Sequence, residues 1–201
     1  MSRYRAAMGA GARWNERYTQ GFVPFPDAPA PWLVAHRELL SGGGRALDVA
    51  CGDGRNALYL ARQGYAVDAI DASDVAIDAL RAAARERGLA VQPRVVDLEH
   101  EPLPPGPYDV VVTMSFLQRD LFGPLQDVLA PGGLLFYETL AEAHVTQLGR
   151  SFNPAYLLAE GELLRAFQGL EVIDHFAGVA ERPGGARGVE AIVARRPAGR
   201  G

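Results

Sequence analysis

The stretch that decides the fold is RALDVACGDGRNALYLARQGYAVDAIDAS, residues 45–73. It opens with an apolar run, residues 46–50, that is interrupted by one acid and is typical of a buried parallel strand. A turn with two glycines follows, and apolar residues then recur at helical spacing from 55 to 63. A second apolar run, residues 66–70, ends on Asp71. The stretch therefore predicts a strand, a glycine turn, a helix and a second strand closed by an acid.

This predicted unit has the geometry of a nucleoside site. Gly52 and Gly54 allow a positive φ and let a ligand approach the backbone, because no Cβ stands in the way. The N-terminus of the following helix presents backbone N–H groups, and Asp71 can accept hydrogen bonds from ribose hydroxyls. The turn also fits the Gly-x-Gly-x-x-Ala variant of the dinucleotide pattern through Ala57. A nucleoside ligand is therefore predicted.

Asp48 favours a cationic nucleoside over a dinucleotide. It stands four residues before Gly52, and its charge would lie where a pyrophosphate has to sit. S-adenosylmethionine carries a sulfonium and an ammonium instead, so we expect it as cofactor, with S-adenosylhomocysteine as product. The pattern Asp48-x-Ala50-x-Gly52-x-Gly54 resembles the first motif of class I methyltransferases, with Ala50 where a glycine is common. An NAD(P)-dependent oxidoreductase stays open as the less favoured alternative.

Composition sets the class of protein. Apolar residues make up 48% and charged residues 22% of the 201 residues, which is ordinary for one globular domain. No run approaches the ~18 apolar residues of a membrane span, and the first residues lack a signal-peptide core. The single cysteine makes a reducing cytoplasm the expected location. With a net charge of −4 and scattered arginines as its basic residues, no nucleic-acid partner is expected.

Outward from the central stretch, helices and strands alternate. Helical periodicity predicts helices at 13–19, 31–40, 74–87, 117–129 and 160–168. Short apolar runs predict strands at 91–96, 108–113, 134–138, 170–176 and 189–195. Residues 101–107, with four prolines, and 139–159, without a clear period, are expected to be loops. Asp74 is expected to cap its helix, and His36 to lie on the surface.

This order predicts an α/β fold: a doubly wound, seven-stranded, mostly parallel sheet with a C-terminal antiparallel hairpin. We expect a single domain over residues 1–201. It would consist of N-terminal helices and a lid in 1–40, a cofactor-binding core in 45–138, and a substrate loop, a helix and the hairpin in 139–201.

The predicted cofactor contacts lie in the N-terminal segment, in the glycine turn and at the carboxyl ends of the strands. They are Tyr18, Asp48, Ala50, Cys51, Gly52, Gly54, Asn56, Asp71, Ala72, Asp97, Leu98, Met114 and Ser115. Asp97 would accept the adenine amino group with Leu98 against the ring, or else cap its own loop. Met114 and Ser115 would face the transferable methyl. Cys51 is also predicted to be a small packing residue. Trp14, Tyr18, Phe22 and Phe25 would either form a lid over the ligand or pack against the rim of the sheet.

Longer segments resemble the tellurite-resistance methyltransferases. They are GRNALYLARQGYAVDAIDAS (54–73), RVVDLE (94–99), YDVVVTMS (108–115), PGG (131–133), EGELLRAFQGLEVI (160–173) and VARR (193–196). The resemblance implies S-adenosylmethionine-dependent methylation of a small soft nucleophile, such as a thiol, tellurite or selenite. That family carries a His-Arg pair between the last two strands, where this chain has Glu181-Arg182. Arg182 is therefore the predicted catalytic contact for the acceptor anion, with Arg150 and Arg187 as alternatives.

Other chemistries lack their residues. No Asn/Asp-Pro-Pro-aromatic sequence follows the fourth strand, which argues against methylation of nucleic-acid bases. No metal site is predicted, because the histidines at 36, 100, 144 and 175 fall at no metal-ligand spacing. His144, in the variable loop, is the better candidate for a base among them, and His175 is expected in the core or at the rim. A small-molecule methyl acceptor is the expected partner, and a non-catalytic S-adenosylmethionine-binding module remains an alternative. The sequence predicts no oligomeric state.

Overall fold

The computed structural model describes residues 9–21, 28–182 and 184–199. Phe22 and Phe25, which the lid hypothesis includes, lie outside the described residues. The strands are β1 Arg45–Val49, β2 Ala66–Asp71, β3 Val91–Val95, β4 Tyr108–Met114, β5 Leu129–Leu140, β6 Glu171–Ala180 and β7 Arg187–Arg195. They form one seven-stranded sheet in the order β3-β2-β1-β4-β5-β7-β6. Strands β1 to β5 are parallel, and β7 runs antiparallel to both β5 and β6. The predicted sheet and its terminal hairpin are confirmed.

Helices cover both faces of this sheet. They are α1 Ala10–Thr19, α2 Pro31–Ala35, α3 Arg55–Arg62, α4 Asp74–Glu86, α5 Phe122–Asp127, α6 Ala143–Thr146 and α7 Glu162–Ala166. Single 3₁₀ turns span Arg37–Leu39, Arg119–Leu121 and Pro154–Tyr156. In the described ranges, no helix is both long and apolar enough to cross a membrane.

The apolar run of β4 shows why the sheet is covered on both sides. Val110 and Val112 belong to a core with α2, α3 and α4, whereas Val111 belongs to the opposite core with α5 and α7. All three valines are at most 1% exposed. A strand buried on both faces loses the apolar-polar alternation of a half-exposed strand, which accounts for the uninterrupted sequence.

Two predicted helices are shorter than expected. The helix predicted at 31–40 stops at Ala35, because the Nδ1 of His36 lies 2.9 Å from the carbonyl oxygen of Trp32. Backbone bonding in a continuing helix would use that carbonyl. The prediction of a surface His36 is wrong as well: its ring packs edge-on against Trp32, and its Nε2 lies 2.9 Å from Asp174 on β6.

The helix predicted at 117–129 is present only as a 3₁₀ turn and the shorter α5. A 3₁₀ turn precedes α5, and β5 begins at Leu129, five residues before the predicted start at 134. Pro124 has no N–H to continue a helix from the preceding turn. The Pro-Gly-Gly turn is instead an irregular start to the strand, with Gly132 at φ +81°.

Two local predictions also change. The N-cap of α4 is Ser73 rather than Asp74, since the Ser73 Oγ accepts a hydrogen bond from the backbone N–H of Ala76 at 3.2 Å. Residues 139–159 are not a continuous loop: they contain α6, a 3₁₀ turn and a bridge between Ala141 and Leu158.

Candidate functional site

The carboxyl ends of β1 and β2 are joined by Asp71. One of its oxygens accepts a hydrogen bond from the Gly52 N–H and the other from the Ser73 N–H, each at 2.9 Å. Burial raises the pKa of Asp71, although these N–H groups oppose the shift. Because each carboxylate oxygen has two lone pairs, Asp71 can hold the glycine turn and still accept a hydrogen bond from a ligand hydroxyl.

Asp48 is the most deeply buried acid of the site. It is 1% exposed, and within the described residues its Oδ2 has no hydrogen-bond partner. Burial raises the pKa of Asp48 to about 7, and the guanidinium of Arg55 opposes that shift. A buried carboxylate oxygen without a partner is costly, and a cation on this side of the turn would relieve that cost. Asp48 therefore fits a ligand with positive charge.

The backbone takes a left-handed conformation directly after β1 and directly after β4. Ala50, directly after β1, has φ +53°, and Ser115, directly after β4, has φ +60°. They are the non-glycine residues with positive φ in the described chain. Such conformations concentrate at functional sites. The left-handed conformation at position 50 also gives a physical reason why glycine suits it.

Helix α1 lies over the glycine turn through one face. A Cβ added to Gly11 would come 2.5 Å from the Ala72 carbonyl oxygen, so the helix backbone lies against that turn. One turn later, Asn15 Oδ1 accepts a hydrogen bond from Ser73 Oγ at 2.6 Å. A further turn along, the hydroxyl of Tyr18 stands 2.5 Å from the position of a Cβ on Gly52.

Tyr18 is thereby placed among acids. Burial is the main cause that raises its pKa, and the charges of Asp71 and Asp53 add to it. The phenol therefore stays protonated and can donate a hydrogen bond at the turn. Its predicted cofactor contact remains a prediction.

Three other predicted contacts are engaged within the protein. Asn56 Oδ1 accepts a hydrogen bond from the Ala30 N–H at 2.8 Å, which ties the N-terminal segment to α3. The buried Cys51 thiol faces the Gly52 carbonyl, and burial raises its pKa. Met114 is 7% exposed and belongs to the core. Their roles toward a cofactor remain predictions.

Asp97 and Leu98 follow β3 on the same edge of the sheet. Asp97 Oδ1 accepts a hydrogen bond from the Glu99 N–H at 3.1 Å, and its Oδ2 lies 3.2 Å from His100. These contacts match the loop-capping alternative, whereas the adenine contact is untested. Asp97, Glu99 and His100 also offer ligand atoms within 4.8 Å of one another, but Glu99 pairs with Arg13 of α1 at 3.2 Å.

A small charged cavity adjoins the end of β4. It is lined by Pro31, Arg55, Ser115, Glu138, Thr139, Leu140, Arg182, Arg187 and Val189. Its volume of about 30 Å³ holds roughly one water molecule. We call it the acceptor cleft, because it begins at Ser115, where the methyl-facing position was predicted. Burial lowers the pKa of both Arg55 and Arg187.

Arg182, the predicted acceptor contact, is held by a carboxylate. Its Nε donates to Glu138 Oε1 at 3.1 Å, and its Nη2 donates to Glu138 Oε2. The two side chains are 13% and 8% exposed. Arg182 thus lines the acceptor cleft as half of an ion pair, and its contact with an acceptor anion stays a prediction. Arg187, one of the two alternatives, lines the same cleft.

Sequence reasoning missed Glu138 and Arg55. Glu138 ends an apolar run, as Asp71 does, so the rule that places functional acids at the carboxyl ends of parallel strands would have found it. Arg55 is the first residue of α3, where a cation opposes the helix dipole. That unfavourable position could have marked Arg55 as a candidate functional residue.

Neither His144, the predicted candidate for a base, nor His175 is among the residues that line the acceptor cleft. His144 is buried, and its Nδ1 accepts a hydrogen bond from the Gly188 N–H at 3.3 Å. Burial and the charges of Arg150 and Arg187 lower its pKa. His175 Nε2 lies 2.9 Å from the buried Glu190, which places it at the rim as predicted.

Comparison with known proteins finds relatives for the part of the chain that holds the glycine turn. Residues 46–133 match a family model described as a methyltransferase domain. A ubiquinone biosynthesis O-methyltransferase of Burkholderia orbicola is 33% identical over 115 residues, which are 54% of this chain and 49% of that protein. The chain thus spans about half the length of the curated relatives it matches.

Two solved structures share the fold over most of the chain. TehB from Haemophilus influenzae superposes with a TM-score of 0.75 at 20% identity, over 90% of this chain and 67% of that one. The cyclase SpnF superposes with a TM-score of 0.73 at 22% identity, over 94% and 95%. Residues 46–133, which include the glycine turn, Asp48 and Asp71, thus match a methyltransferase domain, and the fold around them is shared with both solved structures.

Proposed function

We propose that the protein transfers a methyl group from S-adenosylmethionine to a small anionic acceptor with a soft nucleophilic atom, such as a thiolate, selenite or tellurite. The observation that carries the proposal is the charge of the acceptor cleft. Three guanidinium groups, those of Arg55, Arg182 and Arg187, face one carboxylate, that of Glu138. Guanidinium groups gathered at one partly buried cleft can hold an anion through charge-assisted hydrogen bonds. The resemblance of the sequence to tellurite-resistance methyltransferases supports the same class of acceptor.

The described residues fit the cofactor. Asp71 would hold the ribose, Asp48 would face a cationic group, and the backbone of Gly52 leaves room for close approach beneath Tyr18. S-adenosylmethionine supplies a methyl carbon that its sulfonium already activates. An NAD(P) cofactor fits less well, because Asp48 and Asp53 put negative charge at the turn.

The protein's own contribution is alignment and the exclusion of water. Positioning two reactants can supply a large part of a rate enhancement without a base. A thiolate or a chalcogen oxyanion is already deprotonated, so the arginines of the cleft have only to hold and orient it. This accounts for a cleft in which His144 and His175 both point elsewhere.

The first experiment combines binding and turnover. The purified protein would be titrated with S-adenosylmethionine, S-adenosylhomocysteine and NADPH, then assayed for radiolabelled methyl transfer to selenite, tellurite, a small thiol and a phenol. We expect binding of both sulfur nucleosides and transfer to one of the first three acceptors. Arg187→Gln should lower kcat/KM for that acceptor by about tenfold or more, which corresponds to one lost charge-assisted hydrogen bond.

The matched control is Arg62→Gln, which removes an exposed arginine from the far end of α3. It should leave both binding and transfer unchanged. Binding of NADPH alone would overturn the proposed cofactor. Transfer to the phenol alone would overturn the soft anionic acceptor while leaving methyl transfer in place. Tight cofactor binding without transfer to any acceptor would favour the non-catalytic module.

A further inference from the structure

An ion pair within the protein closes one side of the acceptor cleft. Glu138 and Arg182 both line the cleft, and the carboxylate receives the Nε and Nη2 of the guanidinium in a side-on arrangement. The two side chains are 8% and 13% exposed, respectively. Such a pair combines opposite charges with two directed hydrogen bonds. Two donors of Arg182 that could hold an acceptor are therefore in use before any acceptor arrives.

The third nitrogen of this guanidinium is held by the backbone. The Nη1 of Arg182 donates a hydrogen bond to the Glu181 carbonyl oxygen at 2.9 Å. Every nitrogen of the group thus has an acceptor within the protein. An anion can bind to the Nε and Nη2 of Arg182 together only if it takes the place of the Glu138 carboxylate.

Glu138 is the fixed partner of this pair. Its backbone lies inside the sheet, where it pairs with Met114 on β4 and Ala191 on β7. Its carbonyl oxygen accepts a hydrogen bond from the Ser115 N–H at 2.7 Å. Arg182 instead follows β6, in the connection to β7. Because the arginine has the longer side chain and lies outside the sheet, it is the partner that can turn toward a ligand.

The size of the acceptor cleft indicates that the pair has to open. A volume of about 30 Å³ holds roughly one water molecule, and a thiol or a chalcogen oxyanion needs more room. Separation of Glu138 from Arg182 would enlarge the cleft. The buried carboxylate would then remain with Arg55 and Arg187, the other cations that line the cleft. Their presence matters, because a buried charge that loses its only partner is strongly destabilising.

We propose that Glu138 is a specificity-determining residue that competes with the acceptor for Arg182. This inference rests on the proposed function. Glu138 offers two oxygens to the Nε and Nη2 of Arg182, so an acceptor replaces it only if it also offers two oxygens. An anion with a single contact atom leaves the pair closed and binds weakly. The cleft thereby selects acceptors by the arrangement of their oxygens as well as by their charge.

The experiment is a set of calorimetric titrations with S-adenosylhomocysteine at saturation, which prevents turnover. The probes are selenite and thiocyanate, which are both mainly monovalent at neutral pH. Selenite offers a pair of oxygens, whereas thiocyanate offers one terminal atom. Glu138→Gln should tighten selenite binding by about tenfold or more, because the competing carboxylate is gone. The same change should alter the affinity for thiocyanate by less than about threefold, the effect of the lost charge alone.

Two further variants separate competition from a general effect of charge. In the Arg182→Gln background, Glu138→Gln should tighten selenite binding by less than about threefold, because the guanidinium for which the two compete is absent. Glu138→Asp keeps the charge but shortens the side chain that reaches Arg182. It should therefore tighten selenite binding as well, though by less than Glu138→Gln. Arg62→Gln, on the exposed end of α3, is the matched control and should leave both affinities unchanged.

Unchanged or weaker selenite binding in Glu138→Gln would overturn the competition and leave Glu138 as a residue that merely holds Arg182 in place. An equal gain with and without Arg182 would overturn it as well. An equal gain for thiocyanate would overturn the selection for two oxygens. None of these results would contradict methyl transfer itself. If the wild type methylated neither selenite, tellurite nor a thiol, the proposed function would fail, and the inference with it.

Discussion

Asp48 shows how one buried carboxyl group can tie ligand binding to pH. Its pKa of about 7, raised by burial, means that a large fraction is protonated at neutral pH. A cationic ligand prefers the ionised form, so binding below pH 7 has to displace a proton. The physical basis is the burial of this side chain, which outweighs a hydrogen bond from the Ala57 backbone. Its Oδ2 has no hydrogen-bond partner within the described residues.

We therefore expect the affinity for S-adenosylmethionine to rise with pH up to about 7 and to level off above it. Below that point the association constant should fall by up to about tenfold per pH unit. Titration calorimetry measures this slope between pH 5.5 and 8.5, a range that extends about one unit or more to each side of the Asp48 pKa. Asp48→Asn should bind more weakly and without the slope, whereas Asp78→Asn on the exposed face of α4 should retain it. A slope that survives Asp48→Asn would contradict the assignment.

Helix α1 depends on one small residue for its docking against the glycine turn. The Gly11 backbone touches the Ala72 carbonyl oxygen so closely that a Cβ would stand 2.5 Å from it. Asn15 and Tyr18 continue the same face. Moving α1 outward would therefore withdraw the Tyr18 hydroxyl from the glycine turn.

Gly11→Ala should weaken cofactor binding by about tenfold, a loss equal to one or two hydrogen bonds. Alanine favours helix formation over glycine by about 1 kcal/mol, so helicity itself should not fall. The control is Gly9→Ser, at a position where a Cβ meets nothing within 4 Å and where a serine can cap α1. Calorimetry measures the affinity for the cofactor, and circular dichroism measures helicity. Unchanged affinity in Gly11→Ala would show that α1 does not serve the cofactor site.

Helix α7 has a different anchor, the buried Glu190 of β7. Its carboxylate accepts hydrogen bonds from the N–H groups of Glu162 at 3.1 Å and Leu163 at 3.0 Å, and it lies 2.9 Å from His175 Nε2. Glu190 is 0% exposed. One side chain thus joins the first turn of α7 to both strands of the terminal hairpin.

Glu190→Ala should lower the free energy of unfolding by about 3 kcal/mol or more, because two buried N–H groups lose their acceptor. Urea unfolding measures the change. Glu171→Gln, on the exposed start of β6, should change the free energy of unfolding by no more than about 0.5 kcal/mol. A similarly small effect of Glu190→Ala would mean that α7 is held by its apolar contacts alone.

For the whole molecule, the buried acids predict an unusual pH dependence of stability. The pKa of Asp48 is raised from 3.8 to about 7 in the folded protein. Between these values the unfolded chain has lost the proton while the folded protein keeps it. Rising pH therefore favours unfolding across this window, by an amount on the order of a few kcal/mol. The direction is opposite to that of an acid held in a salt bridge.

Unfolding of the ligand-free protein at about pH 5 and about pH 8 tests this expectation. The first pH lies about one unit above the pKa of Asp48 in the unfolded chain, and the second about one unit above its pKa in the folded protein. The wild type should lose stability toward pH 8 relative to Asp48→Asn, which has no carboxyl group to ionise. Cofactor at about 100 times its dissociation constant should add about 2.7 kcal/mol. A stability difference between the two proteins that does not change with pH would contradict the raised pKa.

The parts of the fold that local sequence patterns encode could be predicted from the sequence. The β1-turn-α3-β2 unit and the alternation beyond it are local patterns, and the sheet follows them because parallel strands require helical crossovers. Contacts over long separations were not accessible. Glu138 and Arg182 are 44 residues apart in sequence and meet only because β5 lies beside β7. His36 was misplaced for the same reason, since its partner Asp174 is 138 residues away.

The left-handed conformations of Ala50 and Ser115 have one more consequence. Each costs on the order of 1–2 kcal/mol relative to an ordinary backbone conformation, and the hydrogen bonds of β1 and β4 to their neighbours must hold both in place. Their shape is therefore fixed when the sheet forms and not when a ligand arrives. The rim between β1 and β4 is preorganised: little backbone entropy remains to be lost on binding, so more of the contact energy is expressed as affinity.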